Sequence, residues 1–258
     1  MEIETSVAVV GGAIASKDVL LKVLGPTADY VGGELKNLVQ RCNVNLSDVF
    51  ASSLRKGAEH AAGSVDARTA KSIFDDAAYC DDGLIKDYYG GLLCGSKSEN
   101  GDDSALSYVS ILKGMSRIQV KTHFLIYALL HKSVAGSLPS ITVEEERNKV
   151  RLIIGLDRYL SFINQDQIDG EATINHIVSG LLRAGLIGPF FQYGRPEFIN
   201  SRFPELDVKT PSLVVCPSIL GVELFLWAAG IRNPNPNLIV QANAEILSRY
   251  PEEFRDAV

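Results

Sequence analysis

The sequence has 258 residues, 46% of them hydrophobic and 22% charged, which is enough apolar content for a folded core and excludes wholesale disorder. The formal net charge is −6, and acidic residues outnumber basic ones in both halves of the chain. An acidic balance of this kind argues against broad binding to a nucleic-acid backbone.

Residues 1–45 are rich in glycine and alanine and are predicted to form a helical arm, with Gly25-Pro26 as the break between two short helices. The longest apolar run in this arm, Val7–Ala15, is too short to span a bilayer. Glu2 and Glu4 occupy the place where a secretory signal would carry positive charge. We therefore expect a cytoplasmic protein without a transmembrane segment.

Residues 46–136 have the periodicity of a helical bundle, because apolar residues recur at the i, i+3, i+4 spacing of amphipathic helices. The first apolar face is formed by Leu46, Val49, Phe50, Leu54, Gly57, Ala58 and Ala61. The next two faces are formed by Ala70, Ile73, Phe74, Ala77 and Ala78, and by Leu84, Ile85, Tyr88, Tyr89, Leu92 and Leu93. A fourth helix is expected to bury Tyr108, Val109 and Leu112.

Residues suited to helix capping precede several of these helices. Asp81 or Asp82 is predicted to cap the helix of Leu84, and Asp102 or Asp103 is predicted to cap the helix of Tyr108. Ser116 precedes a helix whose centre, Phe124–Leu130, is apolar on all sides. A helix of that composition belongs in the middle of a bundle, so we predict an antiparallel arrangement around it.

The segment 137–169 has two competing patterns. Thr142 and Glu145 have the spacing of a capping box, which favours a helix. Val150, Leu152 and Ile154 alternate with less apolar residues in the manner of a strand. We predict a helix here, with the strand as the alternative.

Residues 137–230 are predicted to form a winged-helix-like module with a small β-wing. A helix over Ile174–Leu182 ends at Ala184-Gly185, where glycine suits the C-terminal cap. Strands are predicted at 186–193 and 212–216, joined by a long polar loop over Gly194–Pro211 that would form the wing. An apolar helix is predicted next, over Ile219–Ala229. Residues 231–258 are predicted to form a C-terminal helix and a tail, and the inner face of that helix would carry Leu238, Ile239, Ala242 and Ile246. Leu182 is expected to be buried against the apolar helix together with Leu186 and Phe225. The predicted fold class is thus mainly α, a helical bundle followed by the winged-helix-like module.

Residue types that carry chemistry are present but not clustered in the sequence. Gly11-Gly12 lacks the remaining glycines of a dinucleotide-binding fingerprint. Asp75, Asp76, Asp81 and Asp82 are interpreted as helix-end and solvated residues rather than metal ligands. The histidines (His60, His123, His131 and His176) have no HxxxH or HExxH spacing, and no nucleophile elbow surrounds Cys94. We therefore expect no enzyme activity, no cofactor and no metal.

The cysteines lie far apart in the sequence, at Cys42, Cys80, Cys94 and Cys216. Because no CxxC pair occurs among them, buried reduced thiols are expected rather than a disulfide scaffold or a zinc site.

The predicted module has one polar helix face that could contact a partner, formed by Asn175, His176, Ser179 and Arg183. The predicted wing adds Arg195, Arg202 and Lys209, whose charges are offset by Glu197, Glu205 and Asp207. This balance favours contact with a protein, a second copy of the chain included, over contact with DNA, and nucleic-acid binding stays as an alternative.

The central and C-terminal motifs resemble a bacterial family, the abortive-infection alpha (Abi-alpha) proteins, formerly a domain of unknown function. The central motif combines Asp81-Asp82, Tyr88-Tyr89, Leu92-Leu93 and the helix of Tyr108–Ser116. The C-terminal motif combines Leu182-Arg-Ala-Gly185-Leu186-Ile187 with Ser218-Ile-Leu-Gly221-Val-Glu-Leu-Phe225. The resemblance spans roughly residues 20–230. Tyr89 stands where the family usually has tryptophan, and Ser218 stands where it has threonine.

The resemblance implies a role in defence against phage, by arrest or death of the infected cell, and it transfers no catalytic residue to this chain. A nucleic-acid-binding regulator is the alternative in a different functional class. A membrane-perturbing effector is a third hypothesis, based on the apolar segments Val7–Ala15 and Val19–Leu24.

Overall fold

The structure, a computed structural model, describes the backbone of residues 28–57, 64–99, 102–163 and 170–258. It is mainly helical with two small antiparallel sheets, which confirms the predicted class at that level. Contacts divide the chain into a unit that ends at Val44 and a larger unit from Asn45 to Val258. The described part of the smaller unit is helical throughout. Among the described residues, no helix is both long and apolar enough to cross a membrane.

The helices and strands follow one another along the chain as α1 (Ala28–Arg55), β1 (Ser64–Val65), α2 (Ala67–Ala77), α3 (Gly83–Gly95), β2 (Lys97–Ser98), α4 (Ala105–Lys113), α5 (Arg117–Val134), α6 (Glu144–Arg147), β3 (Leu152–Gly155), α7 (Leu156–Ile163), α8 (Gly170–Arg183), β4 (Ile187–Gly194), α9 (Pro196–Arg202), β5 (Ser212–Pro217), α10 (Ile219–Ala228) and α11 (Glu252–Asp256). Short 3₁₀ turns occupy Pro204–Leu206, Pro236–Val240 and Leu247–Arg249.

Several helix starts confirm the caps that the sequence predicts. The Asp82 carboxylate accepts hydrogen bonds from the backbone N–H groups of Leu84 and Ile85, at 3.0 and 3.1 Å. Ser116 and Gln119 form a complete capping box at the start of α5. Each of these bonds satisfies a backbone donor that the first helical turn leaves without a partner.

The predicted cap of α4 is wrong. Ser104 is the residue that caps this helix, and its side chain makes no capping bond. Asp102 instead accepts a hydrogen bond from the backbone N–H of Ser104, at 2.9 Å, and so stabilises the turn before the helix.

The predicted apolar face of α1 is also wrong in part. Val49 is fully buried, but Phe50 and Leu54 are 46% and 54% exposed. The helix ends at Arg55, and Gly57 follows it with a positive φ of 98°. Polar side chains take the inward positions because they form hydrogen bonds with groups elsewhere in the fold. The Asn45 amide, for example, donates to the carbonyl of Ala78. Ala58 and Ala61 lie outside the described residues.

The segment after α5 contains a strand where a helix was predicted. Residues 152–155 pair with β5 in antiparallel register, Leu152 opposite Val215 and Ile154 opposite Leu213. Leu152 and Ile154 point into the core while Ile153 is exposed, which is the alternation of a half-buried strand. Helical structure flanks this strand in the short α6 and in α7.

The larger sheet has the order β3-β5-β4, so β5 is its central strand, and every residue of β5 is buried. Residues 195–211, which join β4 to β5, contain α9 and a 3₁₀ turn, so the prediction of a long irregular loop here is wrong. The single helix predicted after Asn233 is wrong too, since this region holds two 3₁₀ turns and the short α11.

One continuous core joins the helices to the inner face of the larger sheet. Phe124 on α5 lies at an aromatic centre, with its ring 4.9 Å from that of Tyr250 and 6.1 Å from that of Phe225. The helix α10 is almost entirely buried and packs on α3 so closely that a Cβ at Gly91 would lie 1.9 Å from the carbonyl oxygen of Ala228. Glycine at position 91 is what permits this approach.

Candidate interaction surface

The predicted contact face of α8 is exposed. Ile177, Val178 and Leu181 on the opposite side of the helix are buried in the core. Asn175, His176 and Arg183 are exposed and Ser179 is half-buried, with its hydroxyl 3.4 Å from Oδ1 of Asn175. The structure thus places these four residues together on one face, as the i, i+3, i+4 spacing requires.

The remaining predicted contact residues lie on the β4–β5 connection, residues 195–211. Arg195 directly precedes α9 and is exposed. The guanidinium of Arg202 lies 6.0 Å from the ring centre of Phe203 and 3.4 Å from Oε1 of Gln192. Lys209 donates a hydrogen bond to Asp207 at 2.5 Å, which offsets its charge locally. These three cations are therefore spread along the connection, and among the described residues no acidic side chain forms an ion pair with Arg195 or Arg202.

The β4–β5 connection is folded against the outer face of the sheet. Ile199, Val208 and Val214 form a second small core, with Phe203 and Leu206 packed at its edge. The Asn200 side-chain amide fixes the connection through two hydrogen bonds to the backbone of Val208. It donates to the Val208 carbonyl at 2.9 Å and accepts from the Val208 N–H at 2.8 Å. These contacts hold α9 in a defined position on the sheet.

Three large apolar side chains on β3, β4 and α9 are exposed to solvent. Phe198 on α9 is 60% exposed, Phe190 on β4 is 52% exposed and Ile153 on β3 is 42% exposed. Ile153 is the direct cross-strand partner of Val214, so the two side chains share the outer face of the sheet. Sequence periodicity misses this surface because the strand of Ile153 and the helix of Phe198 were not predicted.

The acidic residues considered as metal ligands are each engaged in a structural contact. Asp75 accepts from Lys71 at 2.7 Å, one helical turn away. Asp76 accepts from the hydroxyl of Tyr89, and Asp81 accepts from the Asn45 amide at 3.3 Å. In the part of the chain that the structure describes, no group of three or more metal-ligand residues occurs.

His123 is buried and both of its ring nitrogens are used. Nε2 lies 3.1 Å from the carbonyl oxygen of Gly221, which can only accept, so Nε2 carries the hydrogen. Nδ1 then accepts from the hydroxyl of Tyr88, at 2.9 Å. Burial lowers the pKa of His123 to about 3, so the ring stays neutral. These bonds leave His123 with a structural role.

The other candidates for catalysis lie apart from His123. His131 donates to the carbonyl of Ile239 at 2.7 Å, and His176 is exposed on α8. Cys94 is buried, and its burial raises the pKa of the thiol. His60, Gly11-Gly12 and the apolar segments Val7–Ala15 and Val19–Leu24 lie outside the described residues.

A buried ion pair that the sequence analysis misses lies at the end of α1. The Nζ atom of Lys56 donates to Oδ2 and to the backbone oxygen of Asp87, both at 2.6 Å, and to the carbonyl of Ala228 at 2.7 Å. Burial lowers the pKa of Lys56 to about 8, and the Asp87 carboxylate opposes this effect. The three bonds use all three ammonium donors, so the pair connects α1 to α3 and α10 and offers no donor to a ligand. The sequence contains no local signal for it, because Lys56 and Asp87 are 31 residues apart.

Comparisons with known proteins found no match for this chain. No family model matches the chain, and no curated protein and no solved structure matches it.

Proposed function

We propose that the protein acts in phage defence of the abortive-infection type, through protein contacts made by its sheet module (residues 152–217). The observation that carries the contact role is the exposure of Phe190 on β4 and of Phe198 on α9. The backbone N–H of Phe198 donates to the carbonyl of the exposed Arg195 at 3.1 Å, so an arginine lies next to one of the two rings. Aromatic and arginine side chains are the types most enriched at the centres of protein interfaces. The resemblance of the sequence to the Abi-alpha family supports the defence setting.

The way α9 is held favours this role. The second small core and the two hydrogen bonds of Asn200 fix the backbone that carries Phe198. A side chain on an ordered backbone loses less conformational entropy when a partner binds, so more of the contact energy remains as affinity. The exposed α8 face of Asn175, His176 and Arg183 provides polar contacts on the same module.

The test is a phage challenge of a susceptible bacterial host that expresses the chain, at low and at high multiplicity of infection. Abortive infection predicts fewer plaques at low multiplicity and early arrest or collapse of the culture at high multiplicity. The double variant Phe190→Ser/Phe198→Ser should lose this protection without loss of folding, because both rings are already exposed.

Tyr79→Ser is the matched control, since Tyr79 is a large aromatic residue that is 67% exposed outside the sheet module. Asp75→Ala should also keep protection, because the Asp75 bond that the described residues show is to Lys71, an exposed neighbour on its own helix. Absence of any effect on phage would contradict the defence role. Full protection by the double variant would contradict the contact role of the module.

A second candidate function, nucleic-acid binding, is favoured by the order of elements in the module. With the short helices α6 and α9 left aside, the succession α5, β3, α7, α8, β4, β5 and the position of β5 between β3 and β4 in the sheet support the proposal of a winged-helix-like module. In that arrangement α8 takes the place of the helix that enters the major groove, and Asn175, His176, Ser179 and Arg183 face the bases. Arg195, Arg202 and Lys209 then lie on the wing.

The charges of these residues predict weak binding. Lys209 is paired with Asp207, so few cations remain to neutralise phosphates. We expect duplex DNA to bind no tighter than the non-specific range of about 10⁻⁴ to 10⁻⁶ M at physiological salt. Fluorescence anisotropy over a salt series measures this. Nanomolar, sequence-dependent binding that Arg183→Ala abolishes would favour a regulator over a protein-contact module.

A further inference from the structure

A cavity of about 530 Å³ lies between α5, α7 and α11. This volume is in the range of about 300–1,000 Å³ that small-molecule sites occupy. Its lining includes Lys121, Arg158, Ser161, Phe162, Glu253, Phe254 and Ala257.

Two phenyl rings form the apolar part of the cavity. Phe162 is stacked on the buried Phe124, with ring centres 6.1 Å apart and planes inclined by 16°. Phe254 meets the same ring edge-on at 6.2 Å. Because Phe124 is fully buried, it fixes both lining rings, which then offer a preformed surface to a flat apolar group.

The polar lining carries more positive than negative charge. Arg158 and Ser161 are three residues apart on α7 and therefore lie on one face of that helix. Arg158 donates one hydrogen bond to the backbone oxygen of Val258, which orients the guanidinium and leaves further N–H donors. Lys121 forms no ion pair within the described residues. Glu253 is the one acidic residue in the described lining.

We propose that this cavity binds a soluble small molecule with a flat apolar body and one anionic group, such as a carboxylate, phosphate or sulfonate. The body contacts Phe162 and Phe254. Lys121 and Arg158 bind the anion, and the hydroxyl of Ser161 donates to it. A cation beside the apolar rings, partly shielded from water, attracts an anion more strongly than the same cation does in open water.

The test uses two fluorescent dyes with nearly the same aromatic body. Anilinonaphthalenesulfonate carries a sulfonate, whereas phenylnaphthylamine is neutral. The intact protein should bind the sulfonate dye at one site, and Lys121→Gln should weaken that binding about tenfold, which is about 1.4 kcal/mol. The same variant should leave the neutral dye almost unaffected. Phe254→Ala should weaken both dyes, with folding checked by circular dichroism.

Lys132→Gln is the matched control, because Lys132 is an exposed lysine on the same helix and does not line the cavity. Three outcomes would overturn the proposal. One is equal binding of the sulfonate dye by Lys121→Gln and by the intact protein. Another is loss of the dye in Phe198→Ser, which would place the dye on the exposed surface around Phe198 and not in the cavity. The third is Lys121-dependent binding of the protein to phosphatidylglycerol vesicles with no binding of the soluble dye, which would place the anion on a lipid.

Discussion

Lys56 and Asp87 form an ion pair that is almost completely removed from solvent, with side-chain exposures of 0% and 3%. The Asp87 carboxylate also accepts from the hydroxyl of Ser52 at 2.6 Å and contacts the guanidinium of Arg55. A buried charge of this kind is tolerated only because its partner and its hydrogen bonds are in place. The last turn of α1 is therefore attached to α3 through one carboxylate.

Removing that carboxylate should destabilise the fold strongly. Asp87→Asn leaves the ammonium of Lys56 buried without a counter-charge, which should lower the free energy of unfolding by about 3–5 kcal/mol. Urea denaturation followed by circular dichroism measures the loss. Glu146→Gln breaks the Lys149–Glu146 pair, in which Lys149 is 69% exposed, and should cost less than about 1 kcal/mol. Equal costs for the two variants would show that the buried pair does not hold α1 in place.

His123 should make stability depend on pH. Burial lowers the pKa of the folded histidine to about 3 from its ordinary 6.5, so the unfolded chain binds a proton that the folded chain does not bind between these values. The free energy of unfolding should then fall as pH drops from about 6.5, by up to about 1.4 kcal/mol per pH unit. Urea midpoints at pH 7, 6 and 5 test this.

The matched variants are His123→Gln and His176→Gln. The first should reduce the slope between pH 6.5 and 5, since it removes the titrating group. The second removes an exposed histidine of α8 and serves as the control for the loss of an imidazole. A slope that survives in His123→Gln would assign the pH dependence to other groups.

The contact of α3 with α10 should not accept a methyl group at Gly91. Because a Cβ there would lie 1.9 Å from the Ala228 carbonyl oxygen, Gly91→Ala must displace one helix and should cost about 1–3 kcal/mol or more. Gly83→Ala on the same helix places its Cβ 3.8 Å from Phe254, an ordinary contact, and should be neutral or slightly stabilising. Thermal denaturation measures the stability of each variant relative to the intact protein. If Gly91→Ala is as stable as the intact protein, α3 and α10 lie farther apart than the structure shows.

Leu181 and Leu182 should differ in their contribution to stability. Leu182, predicted from the sequence to be a core residue, is half-buried in the structure, whereas Leu181 is fully buried, so that prediction is wrong. Leu181→Ala should cost about 2–5 kcal/mol because it leaves a cavity in the core. Leu182→Ala should cost about 1 kcal/mol. The opposite ranking in a denaturation series would mean that α8 is rotated about its axis.

The local features that the sequence predicts correctly depend on residues close together in the chain. Asp82 and Ser116 each cap the helix that follows, because the donor and the acceptor of a capping bond are at most three residues apart. The apolar centre Phe124–Leu130 is buried throughout, as its composition requires. Exposure of the polar face of α8 follows from its helical spacing in the same way.

Features that depend on distant partners were decided only by the tertiary structure. The strand Leu152–Gly155 exists because β5, sixty residues further on, supplies its backbone hydrogen bonds, and its four residues have no local preference that excludes a helix. Lys56 and Asp87 are buried because each is the other's counter-charge, and Phe50 and Leu54 are exposed because polar groups of α1 take the inward positions. The sequence alone therefore determines helix starts and apolar helix centres, since those require only neighbouring residues. The choice of which polar groups to bury, and which apolar groups to expose, requires partners that only the folded chain brings together.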